Sequence, residues 1–199
     1  MSLDKPVNPP QGGTASQPPT TPSSVAEPGH APAAPLPQHV VPLPPAGLSR
    51  MLGLLELIDD HGGRDDIYRI AHEIRDSFGG LLAIIKGAEV LGFVETPGGD
   101  VVLLPLGKKL IEVSVNEKKR LIAGRIADHP TFAYFKTFLL QRPDQSATRQ
   151  EILDELIRVL PTERPKPQFD TLLNWGRYAE IFHYSRDEDR FQIAKVKTP

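Results

Sequence analysis

The stretch FGGLLAIIKGAEVLGFVETPGGDVVLL, residues 78–104, decides the fold. Leu81, Ile84, Ile85, Ala88 and Leu91 recur at helical spacing with Lys86 and Glu89 off the stripe, which predicts an amphipathic helix ending near Gly92. Phe93-Val94-Glu95 and Val101–Leu104 then read as two short strands joined by the turn-forming run Thr96-Pro97-Gly98-Gly99-Asp100. Upstream, Met51, Leu54, Leu55 and Ile58 place a first helix, with Ser49 in the N-cap position and Gly62 past the last turn. Ile67, Ile70, Ala71 and Ile74 place a second helix behind Asp65 and Asp66, whose carboxylates favour a helix start. Three helices closed by a hairpin make a winged-helix-like unit.

Downstream, a helix is expected at Pro105–Val113, another behind the capping box of Ser114 and Glu117, and a third opened by Pro130 with Phe132, Phe135 and Leu139 on one face. These form a connecting layer. A second capping box, Thr148 with Glu151, opens a helix carrying Ile152, Leu153, Leu156, Ile157 and Leu160, which the prolines between Pro161 and Pro167 end. Phe169, Leu172, Leu173, Gly176 and Ala179 give one more helical face, followed by strands at Ile181–Tyr184 and Arg190–Ala194. A shift of 88 residues lays Ile84 on Leu172, Ala88 on Gly176 and Phe93 on Ile181, core position on core position. This reads as an internal duplication of a helix-helix-hairpin unit, in which Ala88 and Gly176 let their helices approach a neighbour closely. The fold class is therefore mainly α with minor β: tandem winged-helix-like units with short hairpin wings and connecting helices.

Residues 1–46 hold 13 of the 21 prolines, and only Asp4, Lys5 and Glu27 there are charged. With few large apolar side chains to offset ordering entropy, this segment is expected to be a disordered tail. The first unit then spans residues 47–113, and the connecting helices with the second unit span 114–199. Cysteine is absent, which excludes disulfides, thiolate metal sites and cysteine nucleophiles. No secretory signal or membrane-spanning apolar run is present, so a cytoplasmic protein is expected.

The strings Leu54–Gly63, Glu89–Glu95 and above all Leu172–Phe182, with its Trp175-Gly176-Arg177-Tyr178 run, resemble the AAA-associated C-terminal domain. That domain follows the nucleotide-binding domain in ATP-binding subunits of nitrate, sulfonate and bicarbonate type ABC transporters. The resemblance covers residues 47–193 and implies a regulatory or protein-interaction appendage, with an ABC transporter ATPase as the partner at the inner face of the membrane. No Gly-x-x-x-x-Gly-Lys-Ser/Thr loop occurs in the chain, so no ATP hydrolysis of its own is expected.

No residue set points to catalysis, a cofactor or a metal. His61-Gly62-Gly63 reads as a helix C-cap rather than as oxyanion donors, because no Gly-x-Ser-x-Gly elbow accompanies it. The six histidines form no i, i+4 pair, and the paired acids lie at helix ends and turns. Candidate interaction residues are Trp175, Arg177 and Tyr178, together with Lys86. Trp175 lies on or beside a buried stripe, where it packs a core; at a surface with Tyr178 and Arg177 it is of the type enriched at interface hot spots. The alternative function is a winged-helix DNA-binding transcriptional regulator, acting as a homodimer. Charge counts against it: residues 46–110 carry 7 Lys and Arg against 10 Asp and Glu, and the densest basic run is only Lys118-Lys119-Arg120.

Overall fold

The computed structural model describes residues 39–74 and 77–194. The predicted disorder of residues 1–38 lies outside them. The chain enters helix α1 (Leu48–Asp60), which buries Met51, Leu54, Leu55 and Ile58. Its N-cap is Gly47 rather than Ser49, and no side chain caps it. At the other end Gly62 and Gly63 take φ of +83° and +89°, and their amides donate to Asp59 and Ile58 carbonyls, so the C-cap reading of His61-Gly62-Gly63 is correct.

Strand β1 (Arg64–Asp66) follows, an element that the apolar pattern does not announce. It forms because Asp65 pairs opposite Val101 while the Asp66 carboxylate accepts from the amides of Tyr68 and Arg69, opening helix α2 (Ile67–Ile74). Helix α3 (Phe78–Val90) is capped by Ser77 and buries Leu81, Ile84, Ile85 and Ala88. Strands β2 (Val94–Glu95) and β3 (Asp100–Leu103), joined by a 3-10 turn at Pro97–Gly99, complete an antiparallel sheet of order β1-β3-β2.

Two connecting helices follow, α4 (Pro105–Glu112) and α5 (Val115–Ala127), the second capped by Ser114. Helix α6 (Pro130–Leu140), predicted as part of the connecting layer, instead opens a second unit with strand β4 (Ser146–Thr148), helices α7 (Arg149–Val159) and α8 (Pro165–Tyr178), and strands β5 (Phe182–Ser185) and β6 (Arg190–Ile193). Its sheet order is β4-β6-β5. The duplication is thus longer than a helix-helix-hairpin: helix, strand, helix, helix, strand, strand occurs twice in the same order. The prolines at 165 and 167 do not merely end α7. They occupy the first turn of α8, where a missing N–H costs nothing.

Both units contribute to one hydrophobic cluster. At its centre Phe132 stacks on Trp175 and Phe182, with ring centroids 6.4 and 6.1 Å apart, and Phe182 meets Phe191 at 4.9 Å. Gly176 does allow a close approach, to the Phe182 ring of β5, which a Cβ would meet at 2.3 Å. On α3 the tightest position is Gly87 rather than the neighbouring Ala88: a Cβ there would stand 2.8 Å from the Met51 sulfur and 2.9 Å from the Ala46 methyl.

That last contact belongs to a segment read from composition as tail. Residues 41–46 run as an extended strap with Leu43, Pro44 and Ala46 buried, so the ordered chain begins before residue 47. Side chains from far along the sequence satisfy its backbone. Thr131 Oγ1 accepts from the Val41 amide at 3.1 Å and donates to the Val41 carbonyl at 2.6 Å. Gln168 accepts from the Leu43 amide at 2.7 Å and donates to the Leu43 carbonyl at 3.1 Å. The Trp175 indole N–H donates to the Ala46 carbonyl at 2.8 Å.

Two outcomes check this packing. Gly107→Ala would place a Cβ 2.2 Å from the Phe93 carbonyl oxygen, backbone that has no rotamer to escape by; a loss of about 1–3 kcal/mol in denaturant unfolding is expected. The second concerns the capping box of α7, where Thr148 and Glu151 bond reciprocally. The Thr148 amide, with the Arg142 guanidinium, holds the Glu151 carboxyl at about 2, against an ordinary 4.5. A depressed carboxylate stabilises fully above its unfolded value and loses that contribution as pH falls through its folded value. The melting-temperature gap between wild type and Glu151→Gln should therefore hold above pH 4.5 and close as pH falls toward 2.

Candidate interaction surface

The four residues singled out from sequence do not come together. Trp175 is fully buried, its ring against Phe132 and its N–H spent on the strap, so it is a core post and not a contact residue. Arg177 is exposed near the end of α8. Tyr178, half-buried, lines a shallow depression of about 270 Å³ with Lys119, Arg120 and Glu180, and burial raises its hydroxyl pKa. Glu180 carries a positive φ and pairs with Lys119 of α5. Lys86 lies on the exposed side of α3 at the other unit.

Several of the charged groups near these positions are paired with neighbours in the chain. Lys86 bonds Glu89 at 2.7 Å, and the Thr96 hydroxyl donates to the same carboxylate at 2.9 Å; the Lys86 bond leads in lowering the Glu89 pKa. In the basic run, Lys118 faces Glu56 at 3.8 Å and Lys119 pairs with Glu180, whose carboxylate raises the lysine pKa. Tyr134, Glu155 and Arg158 form a hydrogen-bonded triad between α6 and α7. Burial, with Glu155 beside it, pushes the Tyr134 hydroxyl up to about 12, away from acid-base work near neutrality. Burial works to raise the Asp65 pKa, but bonds from His61 and the Asp66 amide with the charge of Arg69 outweigh it and the net shift is downward. Among the described residues no three His, Asp or Glu side chains converge as metal ligands, and no helix is long and apolar enough to cross a membrane.

What the surface does offer is apolar. Tyr68 of α2 and Phe78 of α3 are 72% and 43% exposed and stack on each other, centroids 5.7 Å apart and planes 12° from parallel. Leu82, one turn along α3 from Phe78, is 41% exposed. It forms the rim of an open groove of about 460 Å³ whose walls are Ala83, Lys86 and Val90 of α3 on one side and Val41–Pro45 of the strap on the other. Exposed aromatics beside an apolar groove are of the side-chain types enriched at protein interfaces. Sequence reading passed over Tyr68, Phe78 and Leu82 because it selected the buried stripes, and these three lie off them; an aromatic off the stripe is the signal that marks such a position.

No curated protein and no solved structure matches the chain. A family description does: the C-terminal AAA-associated domain, an accessory domain of ATPase-type proteins, matches residues 68–185, from α2 through β5. With more than half of its length matched, the chain belongs to the C-terminal AAA-associated domain family.

Proposed function

We propose that the protein is a non-enzymatic regulatory or interaction module that docks on an ATPase-type partner, an ATP-binding subunit of an ABC transporter, through the Tyr68-Phe78-Leu82 ridge and the groove beside it. The observation that carries the reading is the stacked, exposed pair of Tyr68 and Phe78 next to an open apolar groove. Membership of the AAA-associated domain family supports an ATPase-type partner. Trp175 of the second unit is buried, whereas α3 of the first unit keeps an apolar exposed side. Absence of a phosphate-binding glycine loop from the sequence supports a module with no hydrolysis of its own. Duplex recognition by α3 has less to support it: its exposed cation, Lys86, shares its charge with Glu89, and Lys118 and Lys119 have acidic neighbours inside the fold.

The test mixes the full chain with a purified ABC-type ATP-binding subunit from the same organism and measures binding by sedimentation or interferometry. Tyr68→Ala with Leu82→Asp should weaken binding at least tenfold while leaving the unfolding midpoint nearly unchanged, since both side chains are exposed; Arg177→Ala should leave binding intact. Binding that is lost with Arg177→Ala but survives the ridge variant would return the contact to the second unit. Salt-sensitive retention on duplex DNA, with no binding to the ATPase subunit, would replace the reading with a DNA-binding one.

A further inference from the structure

The strap is held as a ligand is held. The side-chain hydrogen bonds that hold it come from α6 and α8 and go to its backbone, and three of the six buried polar residues among the described residues, Thr131, Gln168 and Thr171, face it. On α8, Gln168, Thr171 and Trp175 lie at i, i+3 and i+7, one face of the helix, so the seat is a row of polar groups reading an extended chain that has no strand partner. Within the segment Val41-Pro42-Leu43-Pro44 only two positions use an N–H, Val41 and Leu43, and Leu43 is the large side chain driven into the core, 1% exposed. The seat therefore uses an N–H at the first and third positions and buries the leucine at the third and the proline at the fourth, while the resident segment carries a second, exposed proline between them.

The chain carries that pattern once more. Leucine occurs at positions 3, 36 and 43 in the first 46 residues, and only Leu36 and Leu43 stand between two prolines. Ala34-Pro35-Leu36-Pro37 supplies an N–H, a proline, a leucine and a proline in the same order. We propose that the face of α8 from Gln168 to Trp175, with Thr131, is a binding site for X-Pro-Leu-Pro segments, and that residues 34–37 are a second ligand exchanging with residues 41–44. The register of the resident segment is set three residues beyond Leu43, where the Ala46 methyl packs at Gly87; a Cβ on that glycine would be 2.9 Å from it. The equivalent of Ala46 in the second ligand is His39, too large for that space, so the second ligand seats through its first four residues and is the minor state. Exchange removes Val41–Pro45 from the wall of the groove beside Leu82 and so remodels it. The seat does not depend on the ATPase reading.

The test uses the full chain and its only tryptophan, Trp175, whose emission reports the seat. Leu36→Ala alone is expected to be silent. Leu43→Ala should shift emission and melting modestly, because Leu36 takes the seat, and the double variant should lose more than the two single losses together. A synthetic peptide of residues 32–40 added to the double variant should restore the emission saturably, and the same peptide with alanine for leucine should not. If Leu43→Ala lowers helix content, Leu43→Val carries the same comparison. Additive losses, or no response to the peptide, overturn the proposal; a rescue of Leu43→Ala that depends on protein concentration assigns the second ligand to another copy and overturns exchange within the chain.

Discussion

The indole N–H of Trp175, donated to the Ala46 carbonyl across 129 positions of sequence, ties the start of the first unit to the helix that carries the second. Buried backbone carbonyls need donors, and an extended proline-rich segment cannot obtain them from a ladder, since its prolines lack N–H groups and leave it without a strand partner. Helix α8 supplies donors instead from side chains. This fixes Ala46, and Ala46 with Met51 fills the space that Gly87 leaves open on α3. The entry to α1, its crossing with α3 and the placement of α8 thus depend on one another. The stacked rings of Phe132 and Trp175 extend the same linkage into the aromatic centre of the second unit.

The same order of elements occurs twice, but the two units spend their third helices differently. Helix α8 is covered by the strap along the line of Gln168, Thr171 and Trp175, whereas α3 leaves Phe78, Leu82 and Lys86 to solvent. A duplicated scaffold has in this way become asymmetric: one third helix serves as internal support, and the other keeps an exposed apolar side next to a groove. The strap forms one wall of that groove and also fills the seat on α8, so a single extended segment touches both units.

The helices were legible because each buries a stripe at a period of 3.6, and Met51-Leu54-Leu55-Ile58 or Ile152-Leu156 can be recognised without knowing their partners. The capping box at Thr148 and Glu151 was equally local. Strands β1 and β4 were not legible. Arg64-Asp65-Asp66 and Ser146-Ala147-Thr148 are three residues each and too short to show alternation, and their pairing is dictated by Val101 and Phe191 on strands far away. The strap was misread for the same reason at longer range. Its composition is that of a disordered tail, and what orders it is a threonine, a glutamine and a tryptophan about 90 to 130 residues distant. Of the candidate site, Lys86 was found because it interrupts a stripe, while Tyr68 and Phe78 were missed because exposure is a property of packing and not of period.

Two of the large pKa shifts in this chain belong to groups that hold the fold together. A catalytic group needs a protonation equilibrium near working pH and a substrate within reach. Glu151 is driven to about 2 by an amide at a helix start, and Tyr134 to about 12 by burial beside Glu155. Each is stabilised in the protonation state it already holds at neutrality, by a partner that also joins two elements of the fold. In the densest basic run, Lys118 and Lys119 have surface acidic neighbours, Glu56 and Glu180. The first unit presents Tyr68, Phe78 and Leu82 to solvent, and covering such apolar side chains is favoured by the release of water.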